Sequence, residues 1–587
     1  MFRRPPMVEL QGIPVAPGVA IGPALVLEAD GYRIPRSLIP AENAETEFAR
    51  LRVAIAAVGE RLENSRQETS ALAGEETGEI FAAQLQMLHD PRLNAELKRR
   101  IKEKLQSADY AVNRVLSNFA EAMRRITNPL LAARAQDLMD IEKQLLQELG
   151  AVNPQPLADL TEPVIVLSHV LTPSETANLD RRYVLGFCTE TGGPGGHTAI
   201  VAKGLELPAV VGIGEFLESV PDFIRVIIDG DRGRVIIDTD EATLDQYRKR
   251  VAQGADLSAR LAELRDLPAE TADGVRVQLS ANIEFPHETE SCLKHGADGI
   301  GLYRTEFLYL SSREEPSEED HFQAYKQVIQ EMNGRPVVIR TLDLGADKMG
   351  HRPLAENEHN PFLGLRSIRL SLRNLDLFRP QLRAVLRAAE FGDVRMMFPL
   401  ITTLAELRQA RMLLNVVAED LKESRIKHRS NIPIGMMVEV PAAVVMLERF
   451  VPEIDFLSIG TNDLAQYTLA VDRSNEYVAD LYQSSDPSVL RLIKQCIDVA
   501  DKFEKPLSVC GEMSSMPGRA LLLLGLGIRH LSVPPSSLPR VKKAIRSVTI
   551  QQCREIADRV MKLDAARDVD LYLLDRLGDF VPELIVT

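Results

Sequence analysis

The hydrophobic positions of this chain change rhythm several times. Residues 8–27 carry short apolar runs broken by Gly and Pro, a pattern that predicts brief strands. Beyond them Leu51, Ile55, Val58 and Leu62 recur at helical spacing. The same period continues over 78–89, 92–106, 108–126 and 130–149, punctuated by Pro91, Asn128-Pro129 and Gly150. Strand-like runs resume at Val164–Leu167 and continue to Val235–Asp238, so the helices read as a bundle inserted into an α/β domain. An all-helical insert with that much surface suits docking of a partner, with a stabilising bundle that has none as the plain alternative. Residues 241–267 predict one long, highly charged helix, as an interdomain connector would be.

After Gly274 the rhythm is strand, helix, strand. Apolar runs stand at Val275–Ile283, Gly299–Tyr303, Val337–Leu344, Val394–Ile401, Ile434–Val440, Phe456–Ile459, Leu507–Val509 and His530–Val533. Helical stretches such as Phe378–Glu390 and Leu404–Glu423 fill the intervals. Eight strands alternating with helices predict a (β/α)8 barrel. An open doubly wound sheet is the alternative, but no GxGxxG follows the first strand.

Composition narrows the class. A chain of 587 residues is too long for one core. No apolar run approaches the roughly 20 residues of a membrane span, and no signal peptide is expected after Met-Phe-Arg-Arg-Pro-Pro. Five scattered cysteines without a CxxC pair suit a reducing cytoplasm and argue against a disulfide framework or zinc site. A net charge of −15 disfavours nucleic acid or an anionic membrane as main partner. An anionic substrate would need a local cluster of cations.

Two constellations carry chemistry. His197 follows Gly192-Gly-Pro-Gly-Gly196, a loop whose bare backbone N–H groups can approach an anion closely. The run after it, Thr198–Lys203, has helix character, and a helix N-terminus favours phosphate. An imidazole there is nucleophilic near pH 7 and a plausible phosphoryl acceptor, with a flexible loop as the plain alternative. The second constellation is the set of polar residues at the carboxyl ends of the expected strands: Arg304-Thr-Glu306, Arg340 with Asp343 and Lys348, Glu439, Asn462-Asp463 with Arg473, and Cys510-Gly-Glu512. Any one of them is as readily a structural ion pair, but barrel enzymes build their sites from such strand ends. Arg304, Arg340, Arg473 and Lys348 suit a ligand bearing phosphate and carboxylate. Glu439 and Asp463 supply hard oxygens for Mg²⁺, Asn462 donates without adding charge, and a neutral Cys510 thiol can protonate a carbanion. Phosphate, carboxylate, metal and proton donor together describe phosphoenolpyruvate.

These segments, with Leu171-Thr-Pro-Ser-Glu-Thr176, Asn360–Arg366, Met397–Leu400 and Gly435–Pro441, stand in one order over essentially the whole chain. In that order the chain resembles the Enzyme I family of the bacterial phosphoenolpyruvate–sugar phosphotransferase system. The resemblance implies a phosphohistidine α/β domain at 1–32 and 151–240, a helical HPr-binding subdomain at 33–150, a linker helix at 241–267 and a barrel and dimerisation domain at 268–587. It implies that His197 is phosphorylated from phosphoenolpyruvate and unloaded onto a histidine of the carrier HPr. By the same match Arg304, Arg340, Asn462, Asp463 and Arg473 hold substrate, Glu439 and Asp463 hold Mg²⁺, and Cys510 gives the proton. Thr172 matches a residue that supports the histidine, and Arg366 lies in a matched segment. The family works as a dimer. Here Gly195-Gly196 replace the hydroxyl residue usual before the histidine, and Ser514-Ser515 replace a smaller pair. A pyruvate phosphate dikinase or phosphoenolpyruvate synthase would need a large ATP-binding domain that 1–150 does not resemble. A non-catalytic sensor of phosphoenolpyruvate would not need every catalytic position filled.

Overall fold

The structure is a computed structural model that describes residues 7–27, 39–73, 85, 87–124, 138, 141–142, 144–150, 160, 162–171, 182–193, 202, 207–217, 220, 223–310, 315–345, 360–473, 475 and 477–585. An eight-stranded sheet comes first, in the order β1-β8-β7-β3-β4-β5-β6-β2. Its strands are β1 (Val8–Gln11), β2 (Ile13–Ala16), β3 (Val19–Leu27), β4 (Val164–Ser168), β5 (Val184–Thr189), β6 (Ala209–Val211), β7 (Arg225–Asp229) and β8 (Arg234–Ile237). The chain therefore leaves this sheet after β3 and returns at β4, which pairs parallel with β3. In between lie helices Ala44–Ala73, Pro91–Lys102 and Ala108–Arg124, which with residues 141–149 bury their own core around Leu51, Val58, Leu97, Ile101, Val112 and Leu145. The expected helix 92–106 ends early, because Leu105 takes a positive φ of 50° and turns the chain. Asp90 caps the start of that helix, accepting from Arg92 and Leu93 N–H.

Helix Glu241–Ala262 leads out of the sheet, capped by Asp240, and buries only Leu244, Tyr247 and Leu261. A closed parallel barrel follows, with β9 (Gln278–Ile283), β10 (Ile300–Tyr303), β11 (Val337–Arg340), β12 (Val394–Phe398), β13 (Ile434–Val438), β14 (Phe456–Ile459), β15 (Leu507–Val509) and β16 (His530–Val533). The outward faces of the strands pack on the helices in one continuous core, whereas Leu302, Val338, Met397, Met437, Phe456 and Cys510 meet as a separate cluster in the lumen. Inward positions alternate with outward ones, so the lumen is filled by side chains. Several strands stop short of the apolar runs that predict them: β11 at Arg340, β12 at Phe398 and β13 at Val438. There the ladder ends and the backbone splays into loops that carry the polar residues.

Candidate functional site

The carboxyl ends of the barrel strands gather the expected residues. Arg304 follows β10, Arg340 ends β11, Glu439 follows β13, and Cys510 follows β15. Asn462 and Asp463 occupy the first turn of helix Thr461–Leu469 after β14. Two loops reach this end through left-handed backbone at non-glycine residues, Ser367 (φ 57°) beside Arg366 and Leu400 (φ 49°) after β12. The Leu400 turn aims its N–H at Glu439 Oε1, 2.5 Å away. Glycine is needed at 460, where a Cβ would lie 2.8 Å from Glu439 Oε2, and at 511, where it would lie 1.8 Å from Thr461 Oγ1.

The arginines do not stand free. Arg340, fully within the barrel mouth, pairs with Glu306 and with Asp343, each at 2.9 Å. Arg366 pairs with the other Asp343 oxygen at 2.9 Å and donates to Tyr467 OH at 3.1 Å. Arg304 bonds Glu284 through one terminal nitrogen. Burial works to raise the Asp343 pKa, but Arg340 and Arg366 outweigh it and hold this carboxyl well below the ordinary range. The guanidinium groups of Arg304, Arg340 and Arg366 each meet a carboxylate, and the polar atom of Arg340 that is left without a hydrogen bond is its buried Nε. A lone guanidinium buried in the barrel mouth would be costly, so the carboxylates hold the forks in place.

Glu439 and Asp463 face one another with unspent oxygens. Glu439 Oε2 and Asp463 Oδ1 are buried and accept no hydrogen bond, although Asp463 Oδ1 lies 3.5 Å from Arg366 Nη1. Burial, and after it Asp343 and Asp463, push the Glu439 pKa up. Two such carboxylates with vacant lone pairs suit a divalent cation that completes its shell with water and substrate phosphate. Among the described residues no three His, Cys, Asp or Glu side chains form a metal cage.

The Cys510 thiol is 3% exposed and bonds the Ile459 carbonyl at 3.5 Å, and burial raises its pKa, so it is protonated at neutral pH. Asn462 Oδ1 accepts from Glu512 N–H at 2.9 Å, which turns the donor end of the amide away from that bond. Arg473 stands beyond this helix, its N–H on Gln466 Oε1 at 3.3 Å and its side chain against Tyr482. His197, Thr172 and Lys348 lie outside the described residues, as do Gly195-Gly196 and the run 198–201 expected to begin a helix. The loop before His197 departs from β5 through Gly192, whose φ of 127° favours glycine. Sequence reasoning passed over Glu284, Glu306 and Asp343 as anchors of the arginines. The strand-end position of Glu306 and Asp343 was the available signal.

The comparisons with known proteins bear on this geometry. Residues 258–550 match the family described as PEP-utilising enzyme, PEP-binding domain; residues 11–134 match its N-terminal counterpart, and residues 160–233 its mobile domain. A phosphoenolpyruvate-protein phosphotransferase of Geobacillus stearothermophilus is 41% identical over 95% of this chain and 96% of its own. That of Haemophilus influenzae is 38% identical over 96% of this chain and 98% of its own. The chain belongs to the phosphoenolpyruvate-protein phosphotransferase family. The enzyme class and phosphoenolpyruvate-dependent phosphotransfer follow from that membership, against the dikinase-like and sensor readings. An NMR structure of an Enzyme I protein is 36% identical over 42% of this chain and 99% of its own, with a TM-score of 0.22. Among the described residues no helix is long and apolar enough to cross a membrane.

Proposed function

We propose that this protein transfers the phosphoryl group of phosphoenolpyruvate to His197 and then to a histidine of a small HPr-like carrier, releasing pyruvate. The observation that carries the reading is the convergence of Arg340, Arg366, Asp343, Glu439, Asp463 and Cys510 at one mouth of the barrel, with buried oxygens left unsatisfied. Arg304, Arg340, Asn462 and Arg473 would take the phosphate and carboxylate of the substrate, with Lys348 and Arg366 in support. Glu439 and Asp463 would hold Mg²⁺, which when bound neutralises charge on the phosphate oxygens. The imidazole of His197 attacks phosphorus, the bond from phosphorus to the enol oxygen breaks, and the electron pair passes through the enolate to carbon. Cys510 gives its proton to that carbon, which forms the methyl group of pyruvate, and the thiolate regains a proton from water. Thr172 would orient the histidine.

Residues 33–150 are read as the carrier-docking subdomain, inserted in a phosphohistidine domain of 1–32 and 151–240. The 241–267 helix then joins it to a barrel of 268–587 that dimerises. A cytoplasmic setting fits five cysteines that are free and buried. Incubation with labelled phosphoenolpyruvate tests the core of the reading: the wild-type chain should gain an acid-labile, base-stable phosphate, and His197→Ala should gain none. Label retained in His197→Ala would overturn the assignment.

A further inference from the structure

Behind the site a buried polar chain crosses a core that is otherwise largely apolar. His321, Tyr325, Thr305 and Gln381 are each completely inaccessible to solvent. Gln381 projects from helix Leu375–Ala388, and His321 and Tyr325 lie one turn apart on helix Glu318–Glu331. Gln381 Nε2 stands 3.1 Å from Thr305 Oγ1 and 3.1 Å from Tyr325 OH, while Gln381 Oε1 accepts from Leu342 N–H at 3.0 Å. Thr305 Oγ1 reaches the Arg340 carbonyl at 3.1 Å. Tyr325 OH lies 2.9 Å from His321 Nδ1, and His321 Nε2 lies 3.1 Å from Tyr309 OH.

Counting protons gives this chain one direction. The two Gln381 N–H groups go to the two hydroxyls, and each hydroxyl, having accepted, donates its own proton onward. Thr305 donates to the Arg340 carbonyl, and Tyr325 donates to His321 Nδ1. Burial pushes the His321 pKa down to about 4, so the ring is neutral and carries its proton on Nε2, donating to Tyr309. Within Gln381, Thr305, Tyr325 and His321 every side-chain donor is spent, and the Gln381 amide has a single orientation. One end of the chain thus grips the backbone of residues 340–342 at two points, the Arg340 carbonyl and the Leu342 N–H. On the opposite side of that segment Glu306 accepts from both the Arg340 guanidinium and the Asp343 N–H, each at 2.9 Å.

We propose that Gln381 is a positioning residue for substrate binding: through Thr305 and Leu342 it fixes the Arg340–Leu342 segment, and with it the placement of the Arg340 guanidinium and the Asp343 carboxylate. The inference rests on the reading of this barrel mouth as the phosphoenolpyruvate site. A bystander in the core would affect folding alone, whereas a clamp on this segment acts on the substrate site and leaves the phosphohistidine domain untouched.

The test uses the full chain with Gln381→Leu, Thr305→Val and the double variant. Gln381→Leu should raise KM for phosphoenolpyruvate about tenfold or more, an effect of the size expected from losing a buried polar partner. Phosphoryl exchange between a phosphorylated HPr-like carrier and His197 should keep its wild-type rate. Thr305→Val, which removes only the donor to the Arg340 carbonyl, should show a smaller rise of the same kind. The double variant should be no worse than Gln381→Leu alone, because both act along one path. Nitrogen NMR of His321 should report the Nε2–H tautomer in the wild type and lose that preference in Gln381→Leu. Unchanged KM in both single variants, additive losses, or equal loss of carrier exchange would overturn the proposal. Should Gln381→Leu not fold, Thr305→Val decides it by the same readouts. A wild-type chain that takes no phosphate from phosphoenolpyruvate would instead overturn the parent reading, and the His321 tautomer would still report whether the clamp exists.

Discussion

The two ends of the barrel are built from the same residue types and use them in opposite ways. At the amino ends, where strands begin, charged groups meet near neighbours. Arg276 pairs with Asp298 at 2.9 Å, and Arg395 with Asp393 at 3.2 Å. Arg529 donates to the Leu524 and Ile528 carbonyls, and the Lys542 ammonium to those of Leu264, Arg265 and Gly296. At the carboxyl ends Asp343 is shared by two arginines, Glu439 is set beside two further carboxylates, and Arg340 Nε, Thr341 Oγ1, Glu439 Oε2 and Asp463 Oδ1 are buried without a hydrogen bond. Native interiors satisfy nearly all such atoms, so a cluster of exceptions at one end marks groups kept for a ligand. Charge at the amino end is met locally, whereas charge at the carboxyl end leaves buried polar atoms unsatisfied, the arrangement that the proposed binding role requires.

Substitution at Glu439 should separate the ends most sharply. Glu439→Gln should lower turnover by about 10²–10³ or more, the scale of one lost electrostatic clamp. It should also leave the metal-free chain as stable as the wild type or more so, because it removes a carboxylate that burial and its neighbours disfavour. Thermal melts in chelator beside pyruvate assays check both. Full turnover, or a large loss of stability, would move Glu439 to the structural class.

Cys510→Ala should slow pyruvate formation while leaving phosphoenolpyruvate affinity within about threefold, because a proton donor acts in the transition state. Single-turnover kinetics and equilibrium binding separate the two effects. Wild-type rates would demote the thiol to a packing residue of the lumen.

The polar chain behind the site predicts a pH dependence. The folded pKa of His321 is depressed to about 4 by burial, against 6.5 for the ordinary group. The unfolded chain therefore binds the extra proton first, and stability is lost as pH falls from 6.5 towards 4, by roughly 3 kcal/mol at full extent. Denaturant melts at pH 7 and pH 4.5 should differ less in His321→Gln than in wild type. An identical difference in both would place the effect on other groups. The smallest change belongs to the amino end. Arg276→Ala breaks a half-exposed pair and should cost about 1 kcal/mol or less, with turnover unchanged. A turnover defect there would erase the contrast between the ends.

Much of this was legible in the residues. The eight strand–helix alternations gave the barrel because parallel strands buried on both faces read as continuous apolar runs, as in Val394–Phe398 and Phe456–Ile459. The candidate site residues Arg340, Glu439, Asp463 and Cys510 were legible because each stands at or just beyond the carboxyl end of a strand. The roles of Asp343 and Glu306 as anchors were not, since only folding shows which arginine each acidic residue meets. Gln381 was hidden further, as one polar residue on the buried face of an amphipathic helix, six residues after Leu375. The early ends of β11–β13 were illegible because apolar side chains continue past the last ladder bond into turns such as that at Leu400.

In the proposed reaction the phosphoryl group leaves phosphoenolpyruvate once per chain and waits on His197 for a carrier. Rapid-quench measurement of pyruvate from the purified chain with Mg²⁺ and excess phosphoenolpyruvate tests it most directly. A burst of about one pyruvate per chain should appear and then stop, be absent in His197→Ala, and resume as steady turnover when an HPr-like carrier is added. Continuous pyruvate release without a carrier, or a burst undiminished in His197→Ala, would contradict it.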